Sequence, residues 1–144
     1  DQSVRSHVGA VGVMQVMPDT GKQMAVGDIH QVEPNIHAGA KYMRHLMEQY
    51  FPDAHFEGAN RSLFAFAAYN AGPARVAQLR KQAAAEGLDP NVWFDNVEAV
   101  AAREVGRETV DYVANIYKYY VAYKLLAERE AERAKAKEAV SAKP

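Results

Sequence analysis

From Pro34 to Phe51 the apolar residues Ile36, Ala40, Met43, Met47, Tyr50 and Phe51 return at helical spacing, and Pro34 suits a first helical turn. The pattern predicts an amphipathic helix. Asn60 is placed to cap the next helix, Arg61 to Asn70, which stops at Asn70-Ala71-Gly72-Pro73, where glycine permits a left-handed turn and proline restarts a helix. The restarted helix carries Val76 and Leu79 and is expected to reach Gly87. Gly87 to Val97 joins Asp89-Pro90 to the single tryptophan, which predicts a turn and a short helix that pin Trp93 inside. A further helix is expected from Glu98 to Val105, ending at Gly106.

The longest pattern begins at Glu108. Val110, Val113, Tyr117, Tyr120 and Val121 form one stripe, and Tyr112, Ile116, Tyr119 and Tyr123 form a second. A helix apolar over most of its circumference is buried by neighbours on several sides, so this one is expected to be the central helix. Beyond Leu126, Glu128, Glu130, Glu132 and Glu138 alternate with Arg129, Arg133, Lys135, Lys137 and Lys143 and almost nothing large is apolar. That composition predicts a solvated helical extension that frays. The chain divides accordingly into a domain over 1–126 and a charged tail over 127–144. No strand-like alternation is sustained anywhere, so the expected class is all-α.

Composition narrows the partners. Lys plus Arg number 17 and Asp plus Glu 18, a formal net charge of −1, so no global field gathers nucleic acid or anionic lipid. A neutral or zwitterionic partner fits better. The apolar runs break well before the roughly 20 residues of a membrane span, and without cysteine there is neither a disulfide frame nor a thiolate metal site. The opening residue is Asp1, as expected of a processed or clipped product. His7, His30, His37, His45 and His55 never fall in a ligand spacing such as HExxH, so no metal and no cofactor is expected. Gly9-Ala10-Val11-Gly12 lacks the spacing of a phosphate loop, but glycine lets a backbone lie close against a ligand or a neighbouring helix.

Two stretches carry candidate chemistry. In Ser6 to Pro18, Gln15 sits among apolar residues, where its amide must be bonded: either nearby backbone satisfies it, or it lines a ligand groove beside the flexible thioether of Met17. In Ala67 to Pro73, Tyr69 is either core or groove, and Asn70 either a helix cap or a polar tip. Two glycine-flanked corners with polar tips could face one groove. Glu108 suits the positive end of the long helix, with Tyr112 one turn on.

Taken together, Ser6-x-x-Gly9-Ala10-x-Gly12-Val13-Met14-Gln15-Val16-Met17-Pro18, Asn35-Ile36-x-x-Gly39-x-x-Tyr42, Ala67-Ala68-Tyr69-Asn70-Ala71-Gly72-Pro73 and Glu108-Thr109-x-x-Tyr112-Val113 resemble the soluble lytic transglycosylase (SLT) domain family. The opening segment looks most like the membrane-bound F-type branch, in which this domain follows a periplasmic solute-binding-type domain. The resemblance implies a lysozyme-like helical fold with a glycan groove. It also implies cleavage of the β-1,4 bond between N-acetylmuramic acid and N-acetylglucosamine in peptidoglycan, leaving 1,6-anhydromuramoyl ends, in the periplasm or cell envelope. By that resemblance Ser6, Gln15 and Met17 line the sugar subsites, Tyr69 and Asn70 face them, and Glu108 with Tyr112 supports the site.

In the family one glutamate of an E-S-x-x-D motif protonates the glycosidic oxygen and then takes the proton of the C6 hydroxyl. Such a group needs a raised pKa so that it can act first as acid and then as base. Asp1 matches the last residue of that motif, so the catalytic glutamate is expected just upstream and none is assigned within this chain. Two other readings stay open: a glycan-binding module without catalysis, and a goose-type-lysozyme-like hydrolase.

Overall fold

The computed structural model describes residues 1–52 and 55–142, and within them the chain is all-α. The helices are α1 (Pro18–Met24), α2 (Val32–Tyr50), α3 (Asn60–Ala71), α4 (Pro73–Ala85), α5 (Glu98–Glu104) and α6 (Arg107–Ser141). α3 packs against α2, α4 and α6. Six consecutive residues, Leu63 to Ala68, are buried along it. A helix enclosed on all sides has to be apolar all round, and the alanines at 65, 67 and 68 let its neighbours approach closely.

The central helix is therefore α3 and not α6, contrary to the expectation from the aromatic stripes. Only Thr109, Val110 and Val113 of α6 are buried, whereas Tyr119 is 71% and Tyr123 76% exposed. Length explains the difference. α3 has 12 residues and α6 has 35, so at about 1.5 Å per residue α6 outruns the body it packs on. Every described residue from Ala122 onward is exposed, and the helix continues to Ser141.

The buried face of α2 is also displaced by one position from the predicted stripe. Asn35, Ala38, Gly39 and Leu46 are buried, while Ile36 is 46% exposed. A polar residue in the apolar stripe misled the periodicity. Asn60 caps nothing: it is the first residue of α3, and its Oδ1 accepts the Trp93 N–H at 3.0 Å. That bond anchors the Trp93–Val97 turn, which is kinked at Phe94 and at Asp95 (φ 60°) and is no regular helix. Trp93 itself is fully buried, edge-on to Phe64 with centroids 5.8 Å apart. α1 was not anticipated by the hydrophobic pattern. Its first residue, Pro18, has the fixed φ that suits a helix start.

A smaller cluster of Val11, Val16, Met24, Ile29 and Ala38 lies under the N-terminal segment, and Tyr42 packs against both this cluster and the main core. The site is built over this junction.

Candidate functional site

Residues 12–15 form a tight turn closed by a reciprocal pair of bonds, Val11 N–H to Val16 C=O at 2.9 Å and Val16 N–H to Val11 C=O at 3.0 Å. Gln15 occupies the left-handed region there (φ 48°), a conformation that costs a non-glycine residue about 1 kcal/mol. The surroundings hold it. Its Nε2 donates to the Gly12 carbonyl at 2.7 Å and to the Val4 carbonyl at 3.4 Å.

The turn rests on Asn35, which is fully buried. Its Oδ1 accepts the Met14 N–H at 2.9 Å, and its Nδ2 donates to the carbonyls of Val11 (2.7 Å) and Ile29 (2.9 Å). One side chain thus satisfies the Met14 N–H and adds a second donor to the Val11 and Ile29 carbonyls, which Val16 N–H and Gln2 Nε2 also reach. Gln2 adds a second tie, donating to Ile29 C=O and accepting the Val13 N–H. The role of Asn35 escaped the sequence reading, although its polarity inside the buried stripe of α2 was the available signal.

The second corner is the end of α3. Gly72 N–H bonds back to Ala68 C=O at 2.8 Å, and Gly72 adopts φ 92°, where only glycine is unstrained, before Pro73 opens α4. This break leaves Tyr69 and Asn70 at the helix end. The Tyr69 hydroxyl donates to the Met14 carbonyl at 2.7 Å, joining α3 to the Gln15 turn. Burial pushes the Tyr69 phenol well above its ordinary range, with Tyr112 and Tyr42 nearby adding to the shift.

Between the corners lies a recess of ≈ 270 Å³ lined by Gln15, Met17, Tyr42, Tyr69 and Asn70 among others. Val16 and Ala68 add apolar wall, and no carboxylate lines it among the described residues. The arrangement can grip a small polar ligand with apolar faces; it holds no group placed to donate a proton to a leaving oxygen. No cluster of His, Cys, Asp or Glu among the described residues is arranged to hold a metal ion.

Of the residues singled out from the sequence, Gln15, Met17, Tyr69 and Asn70 meet in this recess, and Ser6, Glu108 and Tyr112 do not line it. Ser6 accepts the Ala10 N–H at 2.9 Å, shaping the preceding loop. Glu108 is exposed in the first turn of α6. Tyr112 is half-buried on the core, and burial raises its phenol pKa. The residue that links α6 to the recess is Thr109, whose hydroxyl donates to Asn70 Oδ1 at 2.7 Å.

The family model for the transglycosylase SLT domain matches residues 1–91, which contain both corners of the recess. The chain belongs to the transglycosylase SLT domain family. Within this lysozyme-like, all-α family it is 35% identical over 131 residues to a membrane-bound lytic murein transglycosylase F of Pseudomonas fluorescens, covering 81% of this chain and 26% of that protein. The protein of the same name from Shewanella woodyi is 34% identical over 131 residues, covering 82% and 27%, and that from Desulfosudis oleivorans 33% over 133 residues, covering 83% and 29%. The chain thus spans about a quarter of the length of these curated relatives. Among the described residues no helix is long and apolar enough to cross a membrane.

Proposed function

We propose that the chain forms the glycan groove of a peptidoglycan lytic transglycosylase, an enzyme that cuts the MurNAc-β-1,4-GlcNAc bond and leaves 1,6-anhydroMurNAc ends. The relatives' names and the family support this reading. The observation that carries it is the convergence of Gln15 and Met17 from one wall with Tyr69 and Asn70 from the other on a single recess. Sugars present hydroxyl and amide groups around apolar ring faces, and a site for them combines such polar tips with thioether and aromatic surface. Residues 1–126 are taken as the domain and 127–144 as a solvated tail.

Ser6 supports the subsite loop through Ala10, and Glu108 and Tyr112 support the wall from α6. Among the described residues no acid lines the recess. The general acid is assigned to the glutamate of the family's E-S-x-x-D motif, whose last residue Asp1 matches. A periplasmic or envelope location, with a solute-binding-type domain in the parent protein, follows from the same reading.

Purified sacculi digested with the chain extended by whatever its gene encodes before Asp1 should release anhydro-muropeptides detectable by mass spectrometry. Reducing-end products would instead support a lysozyme-like hydrolase. A folded extended protein that releases neither product would support the catalysis-free binding module and overturn the enzymatic reading.

A further inference from the structure

We infer that α6 pairs with α6 of a second copy of this chain, antiparallel about a two-fold axis between Glu130 and Ala131, to form a homodimer. The inference goes beyond the sugar-groove reading and does not depend on it.

Tyr119, Tyr120, Tyr123, Leu125 and Leu126 are large apolar side chains exposed within one short stretch of α6, and Val140 is exposed further along the same helix. From Ala122 onward the helix has left the body, so nothing in the single chain covers it. A helix solvated on every side is sustained by ion pairs along its own surface or by a neighbour. Among the described residues Glu128, Arg129, Glu132 and Lys135 make no ion pair within the chain. Glu128 and Glu132 even stand one turn apart with like charge, as do Arg129 and Arg133, a spacing that destabilises a lone helix.

A neighbour of the same sequence resolves this. Ala122, Leu125, Arg129, Glu132, Ala136 and Ala139 follow one another by three and four positions, the spacing of a two-helix seam, and so share one face of α6. Laid antiparallel on itself about that axis, the seam meets in matched layers. Ala122 meets Ala139 of the second copy, Leu125 meets Ala136, and Arg129 meets Glu132, each layer repeated by the symmetry. The three alanines let the helices approach closely. On the flanks Tyr119 lies beside Val140 of the second copy, and Glu128 beside Lys135. A parallel pair in register would set Arg129 on Arg129 and Glu132 on Glu132. The charges therefore select a second copy as the partner and the antiparallel direction for it. The two bodies then lie toward opposite ends of the pair, so one dimer carries two recesses.

Sedimentation equilibrium tests the pairing. The mass of the chain should rise from monomer to dimer with concentration and go no further. Arg129→Glu sets like charge against Glu132 of the second copy and should weaken the dimer about tenfold or more. Adding Glu132→Arg to the same chain exchanges the two charges and should restore it. All these side chains are exposed in the single chain, so neither change touches the body. A chain that stays monomeric at millimolar concentration, a mass that grows beyond the dimer, a dimer indifferent to Arg129→Glu, or a double variant that fails to recover would each overturn the inference.

A distance tests it independently should Arg129→Glu melt the end of α6. The chain has no cysteine, so a spin label on Ser141→Cys reports a single separation. Antiparallel pairing sets Ser141 level with Tyr120 of the second copy, which holds the two labels about 30 Å apart at about 1.5 Å of rise per residue. A separation under about 15 Å, as neighbouring parallel helices would give, overturns the inference.

Discussion

The hydroxyl of Tyr69, near the end of α3, donates to the main-chain carbonyl of Met14 at 2.7 Å and so holds the two walls of the recess together. Tyr69→Phe keeps the ring packed near Tyr42, 5.6 Å between centroids, and removes only this bond. The expected loss is about 1–2 kcal/mol of stability, as for a part-buried carbonyl left without its donor. Chemical denaturation measures the loss, and amide exchange at residues 12–16 should rise with it.

The same tyrosine predicts the alkaline behaviour. Burial raises the phenol pKa of Tyr69, and also that of Tyr112 and Tyr42, above the ordinary value of 10.0. The folded state then holds protons that the unfolded chain has released, so stability is full below pH 10 and falls as pH rises toward the folded-state pKa values. A thermal melt series from pH 8 to about 11 should show midpoints dropping from about pH 10. Tyr69→Phe should flatten that slope.

Asn35 should be among the least replaceable residues of the chain. Asn35→Leu fits the apolar surroundings but strands the Met14 N–H and removes one of the two donors to each of the Val11 and Ile29 carbonyls, which keep Val16 N–H and Gln2 Nε2. About 1–3 kcal/mol for the unpaired N–H, with about 1 kcal/mol for each of the two other bonds lost, is a large share of a typical total of about 5–15. Asn35→Asp retains the acceptor for Met14 and loses both donors, so it should also destabilise. Differential scanning calorimetry of the two variants checks this, and a wild-type midpoint in either would contradict the role given to Asn35.

Gly39 lies under Met14. A Cβ at position 39 would stand 2.7 Å from Met14 Cε and 2.8 Å from its Cβ. The terminal methyl can swing aside, but the Cβ is fixed to the turn. Gly39→Ala should therefore be destabilising by about 1–3 kcal/mol of overpacking, only partly offset by the helix preference of alanine, about 1 kcal/mol. Met14→Gly, which removes that Cβ, should relieve the overlap, so the double variant should cost less than the sum of the singles. Additive costs in denaturant titrations would count against this packing.

Much of the fold was legible because most helices announce themselves at both ends. Pro73 and Gly106 marked boundaries that the structure keeps, and Val76 and Leu79 lie buried where the pattern placed them. The failures have physical causes. Periodicity reports which positions are apolar but not how far the neighbouring body extends, so α6 was given a burial that stops after its first turns. It also discounts polar residues in a core, which hid Asn35 and moved the α2 face by one position. At the site, the two corners could be recognised from glycine, proline and polar tips. Their meeting depends on Tyr69 reaching Met14 across 55 positions and Thr109 reaching Asn70 across 39, separations to which local sequence patterns are blind.

The central claim is that the Gln15 turn and the Asn70 corner form one glycan site. The most direct measurement is an amide NMR titration of the chain with short GlcNAc-MurNAc glycan fragments. The shifts should concentrate on Gln15, Met17, Asn70 and Gly72, which border the same recess. Shifts confined instead to the exposed Tyr119 and Tyr123 face of α6, or no shifts at saturating glycan with a folded chain, would contradict it.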